Sequence, residues 1–177
     1  PSALRIYRSL YEQVPNNQLY YQGVKRNLLR LKSFEELIGI IEFQIRNSED
    51  VKFPADLGNV YYRKGDQERA FDIWTSLLNN YPRNKAVYPY VSSAMLSNRL
   101  YDEAIEVYKT ARRQLDDPLL FVYELANIYV IRLNYREATL EYLRYLESSG
   151  VAARLTQGLV NRRRDIPQRP GTAIQWT

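Results

Sequence analysis

The stretch YDEAIEVYKTA, Tyr101–Ala111, decides the fold, because the chain repeats its chemistry in YREATLEYLRY, which begins at Tyr135, 34 residues later. Ala104 and Ala138 hold the same place in both, and a further step of 34 back from Ala104 reaches Ala70, in QERAFDIWTSLL. Four residues after each alanine stands a large aromatic, Trp74, Tyr108 or Tyr142. Residues four apart share one face of a helix. Each segment therefore predicts a helix on which a small residue admits a neighbouring backbone and a ring fills the space beside it.

A second helical stretch precedes each of these: ADLGNVYYRKG, YPYVSSAMLSN and VYELANIYVIR. They carry a small residue at Gly58, Ser92 and Ala126 and a large one three positions on, at Tyr61, Met95 and Tyr129. Self-similarity at a fixed period marks a stack of small units, none of which can bury its apolar face alone. The expected unit is a pair of antiparallel helices.

These residues resemble the tetratricopeptide repeat (TPR) family. The resemblance rests on Leu57, Gly58, Tyr61, Ala70, Trp74 and Pro82, then on Val91, Ser92, Met95, Ala104, Tyr108 and Ala111, then on Leu125, Ala126, Tyr129, Ala138 and Tyr142. It implies an all-α fold, an α-α superhelix (solenoid) of TPR-like helix pairs, with repeats at 51–84, 85–118 and 119–150. Residues 17–50 read as a degenerate TPR-like repeat, in which Leu37 replaces the small alanine 33 residues before Ala70 and packing is expected to be looser or shifted. Residues 1–16, with Ala3, Tyr7 and Pro15, read as the second helix of a truncated repeat. At the other end Val151, Leu155 and Leu159 make one stripe, so 151–164 is expected to be a C-terminal capping helix. Residues 165–177 have two prolines, a glycine and no periodicity and read as a tail or linker.

Local signals agree with helix pairs. Ser33 with Glu36 has the spacing of a capping box, Gly65-Asp66 ends one helix and opens the next, and Asp117-Pro118 offers a cap followed by proline at the first helical position. Pro54 and Pro89 fall where a first turn tolerates a missing N–H.

Composition narrows the chemistry. The chain has 177 residues, 45% hydrophobic, with no cysteine and no histidine. That removes disulfides, thiolates, the commonest general base and the commonest metal ligand. No acid, lysine or tyrosine pair has a catalytic spacing and there is no glycine-rich phosphate loop, so neither an enzyme nor a cofactor is expected. No run of 18 apolar residues indicates a membrane span. The opening PSALRIY lacks a leader and reads as the interior of a longer protein, a soluble module of the cytoplasm or periplasm. A formal charge of +5, spread along the chain, permits acidic partners. The 34-residue period and the acidic Glu124 argue against nucleic acid, and the run Arg162–Arg164 reads as a solvated helix end.

The TPR resemblance also implies a site, because in that family the first helix of each pair lines a concave groove that holds a peptide or a partner's helix. The positions opposite the packing residues are Gln22 and Arg26, then Asn59, Tyr62 and Arg63, then Tyr90 and Ser93, then Tyr123 and Asn127. An asparagine amide can donate to and accept from a peptide backbone at once, and tyrosine adds rigid area with a polar tip. Asn59 and Asn127 recur 68 residues apart with Ser93 at the equivalent place between them. The reading is a non-catalytic scaffold for a protein partner of unspecified identity. The family members that clamp a C-terminal carboxylate place basic and amide side chains where this chain has Ala55, Tyr90, Leu120 and Glu124, which argues against that subtype. Two alternatives stay open: the tyrosines equally suit packing between repeats, and an unpaired helix face around Leu4 and Tyr7 suits an assembly or self-association module, docking on other domains of a parent chain or on copies of itself as a homo-oligomer.

Overall fold

Nine α-helices run through residues 2–148 and Gly150, the part of the chain that the computed structural model describes: α1 (Ser2–Gln13), α2 (Gln18–Leu31), α3 (Phe34–Asn47), α4 (Lys52–Lys64), α5 (Gln67–Asn80), α6 (Val87–Leu96), α7 (Tyr101–Leu115), α8 (Val122–Ile131) and α9 (Tyr135–Ser148). There is no strand among the described residues. The segments expected to form a cap and a tail, 151–164 and 165–177, lie outside them. The chain divides into two compact units, Pro1–Leu120 with α1 to α7 and Phe121–Thr177 with α8 and α9.

Side chains at the helix ends explain most boundaries. Asn17 Oδ1 accepts from the backbone N–H groups of Leu19 (2.9 Å) and Tyr20 (3.3 Å), and Asp66 Oδ1 accepts from that of Arg69 (3.2 Å), so α2 and α5 each start on a side-chain cap. Gly65, at φ 105°, ends α4 in the left-handed conformation that glycine adopts without strain. Pro54 and Pro89 are each the third residue of a helix, where no intrahelical bond is lost. Two expected caps are corrected. The Ser33 hydroxyl makes no capping bond, and the reciprocal half of the box is lost as well: the Ser33 backbone N–H donates to Leu28 O at 3.0 Å, while the Glu36 carboxylate accepts from Arg8 Nη2 of α1 at 2.6 Å. Asp117 caps a turn instead of α8: its Oδ1 accepts from the Leu119 N–H at 2.9 Å, and the helix starts only after Phe121, at φ 57°.

The repeat signature forms the core. Ala70, Ala104 and Ala138 are buried, as are Trp74 and Tyr108. The small residue and the ring do not lock within one helix but across the pair: Gly58 of α4 lies flat against the indole of Trp74 on α5, and Trp74 Nε1 donates to Ala55 O at 3.0 Å. The pairs α4–α5, α6–α7 and α8–α9 pack extensively, and α4 also lies along α6.

Packing changes phase in the first three helices. Helix α2 packs mainly on α1, and α3 mainly on α4, whereas α2 and α3 touch over a smaller area. Two residues mark the change: Gly23 of α2 receives the ring of Tyr7 from α1, and Leu37 is buried where later repeats have alanine. Gln44 ties α3 back to α1 by donating to Tyr11 Oη (2.6 Å) and Pro15 O (2.8 Å), a buried polar bridge at a position that Leu77 and Ala111 fill with apolar atoms.

Candidate functional site

The first helices of successive pairs, α2, α4 and α6, enclose a polar cleft of about 380 Å³ in the first unit. Its walls are the helical stripes Gln22, Lys25 and Leu29; Lys52, Asp56, Asn59 and Arg63; and Tyr90, Ser93, Ala94 and Ser97. The three- and four-residue spacing within each stripe places these side chains on one face of each helix. The opposite faces carry Val24 and Leu28, Val60 and Tyr61, and Val91, Ser92 and Met95 into the core.

A charged strut braces the wall between α2 and α4. Lys25 Nζ lies 2.8 Å from both carboxylate oxygens of Asp56, and the Tyr21 hydroxyl donates to Asp56 Oδ2 at 2.8 Å. The Tyr21 ring meets Phe53 edge-on, centroids 5.1 Å apart. Burial pushes the Tyr21 phenol well above its ordinary value, and the adjacent Asp56 charge pushes it further. Tyr21 is thus a permanent neutral donor to the carboxylate.

Sequence reasoning brought several residues to this cleft and misplaced others. Asn59 lines it but is only 7% exposed: its Oδ1 accepts from Asn98 Nδ2 (2.7 Å) and Ser97 Oγ (3.2 Å), so the amide oxygen joins α4 to the end of α6. The amide nitrogen makes no hydrogen bond among the described residues. Arg63 stands at the mouth, with Nη2 donating to Ser97 O at 3.3 Å, and Tyr90 and Ser93 are exposed on the α6 wall. Tyr62 instead turns back into the repeat, its ring 6.0 Å from Trp74 and 6.2 Å from Phe71. Arg26 is exposed but is not part of the lining. Its neighbour Lys25 takes that role. Lys25, Lys52 and Asp56 were missed; their only sequence signal is helical spacing from Gln22 and Asn59.

Tyr123 and Asn127 belong to the second unit. There Tyr142 Oη donates to Asn127 Oδ1 at 3.1 Å, and the Tyr123 ring lies 4.5 Å from that of Tyr145. Hydrogen bonding with Tyr145, then burial, raises the Tyr123 phenol. Both side chains therefore engage α9, although Tyr123 is 48% exposed. Ala55 and Leu120, at two of the carboxylate-clamp positions, are buried.

No family model and no curated protein matches the sequence. Solved structures do. A TPR protein of Thermus thermophilus, TTC0263, superposes with a TM-score of 0.50 at 17% identity, over 89% of this chain and 89% of that one. The fold is TPR-like. A MamA crystal structure aligns at 16% identity over 85% of this chain and 89% of its own, with a TM-score of 0.45, and a MamA double mutant at 13% over 82% and 83%, with a TM-score of 0.44. The TTC0263 likeness agrees with the all-α solenoid class that the repeat signature implied. Among the described residues no helix is long and apolar enough to cross a membrane, and no group of acidic side chains could hold a metal ion.

Proposed function

We propose that the chain is a protein-interaction scaffold that holds an extended segment of a partner protein in the cleft across α2, α4 and α6. The observation that carries this reading is the cleft's composition. The Asn59 amide nitrogen, the Ser93 hydroxyl and Gln22 offer hydrogen bonds to a main chain, and Tyr90, 41% exposed, offers a rigid ring at the rim. A flat helix face would have neither the depth nor the convergent polar groups. The test is selection of displayed peptides against the protein, followed by titration of the selected peptides into wild type and a Ser93→Trp variant that fills the cleft. Affinity should fall at least about tenfold in the variant, roughly 1.4 kcal/mol. Equal affinity would move binding away from this face.

One observation favours an assembly role as a second reading. Tyr7 is not available for it, being seated on Gly23, but α1 also presents Ile6, 57% exposed, in a hollow with Arg5, Ser9 and Leu10. If copies associate through that face, Ile6→Glu should shift the sedimentation coefficient to that of a monomer. A protein that is monomeric before the substitution excludes self-association there.

A further inference from the structure

We infer that the cleft selects an acidic segment, reading one Asp or Glu side chain of the bound peptide through Arg63; this rests on the groove reading above. Three cations and one acid line the cleft, and their pairing decides which charge a ligand meets. Asp56 is spent: Lys25 reaches both of its oxygens at 2.8 Å and Tyr21 donates to one of them, so neither the carboxylate nor the Lys25 ammonium faces the opening unmatched. Lys52 Nζ lies 2.7 Å from Asp50 Oδ2 and 4.5 Å from the centroid of the Phe53 ring, which settles it against its own helix start. Arg63 has only the Ser97 carbonyl, at 3.3 Å, and no carboxylate partner among the described residues. The charge left over is positive and sits at the mouth.

Arginine suits that position better than the two lysines suit theirs. Its guanidinium carries five N–H donors in a rigid fork, of which one is used, so a side-chain carboxylate can be met by two parallel bonds. The Ser93 hydroxyl and the Asn59 amide nitrogen lie along the same cleft to hold the peptide main chain on either side of that carboxylate. A basic segment would meet Arg63 with like charge and would find the single lining acid already bound to Lys25. Electrostatic complementarity of this kind sets selectivity more than total affinity.

The experiment uses three fluorescein-labelled decapeptides, alternating serine with glutamate, glutamine or lysine, titrated by anisotropy into the whole chain and into its Arg63→Gln, Arg63→Lys and Ser93→Trp variants. The glutamate peptide should bind at least about tenfold more tightly than the glutamine peptide at low salt, and the preference should shrink as salt screens the contact. Arg63→Gln should abolish the preference by weakening the glutamate peptide more than the glutamine peptide, Arg63→Lys should keep part of it, and Ser93→Trp should weaken both peptides. Glutamate and glutamine peptides that bind alike, both sensitive to Ser93→Trp, would overturn the acidic preference and leave the groove standing. Glutamate-peptide binding that Ser93→Trp leaves as tight as in wild type places the contact outside the cleft and overturns both readings. No saturable binding of the glutamate peptide, or tighter binding of the lysine peptide, also overturns the inference.

Discussion

Gly58 of α4 and Trp74 of α5 are in such close contact that a Cβ on Gly58 would fall inside the van der Waals envelope of the indole ring. The ring cannot simply retreat, since Trp74 is fully buried and its Nε1 is held by Ala55 O at 3.0 Å. Gly58→Ala gains up to about 1 kcal/mol in helix propensity but must displace the ring, and overpacking of this kind costs about 1–3 kcal/mol. A net loss is expected, read as a lower urea midpoint with a shift in tryptophan emission. An unchanged midpoint would mean that the α4–α5 crossing relaxes freely.

The two recurring asparagines should separate in stability. Asn59→Ala removes the acceptor that joins Ser97 and Asn98 to α4; both donors keep a bond to Ala94 O, so the loss should be close to about 1 kcal/mol. Asn127 is exposed, and its alanine variant should stay within about 0.5 kcal/mol of wild type. Thermal melts of the two single variants decide this, and equal losses would contradict the difference in burial.

Gln44→Leu should cost about 1–3 kcal/mol, because the buried Tyr11 hydroxyl and the Pro15 carbonyl would lose their partner. Adding Tyr11→Phe should recover part of that loss, since removing both ends of a buried hydrogen bond is gentler than removing one. A double-mutant cycle by urea denaturation measures the coupling. Strict additivity would show that the two side chains act independently.

The fold was legible where the period is strict. Ala70, Ala104 and Ala138 with Trp74 and Tyr108 mark the crossings of α4–α5, α6–α7 and α8–α9, because burial of a small residue beside a ring is a local requirement written within four positions. The first three helices were less legible, since Gly23, which seats the Tyr7 ring, stands 35 rather than 34 residues before Gly58. On the same helix Lys25 was missed and Arg26 put in its place. Asn59 was rightly placed on the cleft side of α4, but its use as a strut depends on Ser97 and Asn98, which come within reach only when α6 packs beside α4. Sequence spacing shows which face a residue occupies, not which of its atoms a neighbour has already engaged.

The strut on the cleft wall also predicts alkaline sensitivity. Tyr21 has a folded pKa raised above its unfolded value of 10.0, mainly by burial and then by the Asp56 charge and hydrogen bond. The folded state therefore holds this proton more tightly than the unfolded chain does. Below about pH 10 the phenol is neutral in both states and its contribution to stability is fully present. As pH rises past that point the unfolded chain releases the proton first, and stability falls. Burial raises Tyr11 and Tyr88 in the same direction, so the wild type should lose stability steeply as pH rises past about 10. Tyr21→Phe loses the bond to Asp56 and should be less stable at neutral pH by about 1–2 kcal/mol, with Lys25 still pairing the carboxylate. Having no proton to release, the variant should lose less on going to alkaline pH than wild type does. Urea midpoints of both proteins at pH 7 and about pH 10.5 provide the comparison. Parallel declines would show that Tyr21 ionises no differently in the folded protein and is not sealed against Asp56.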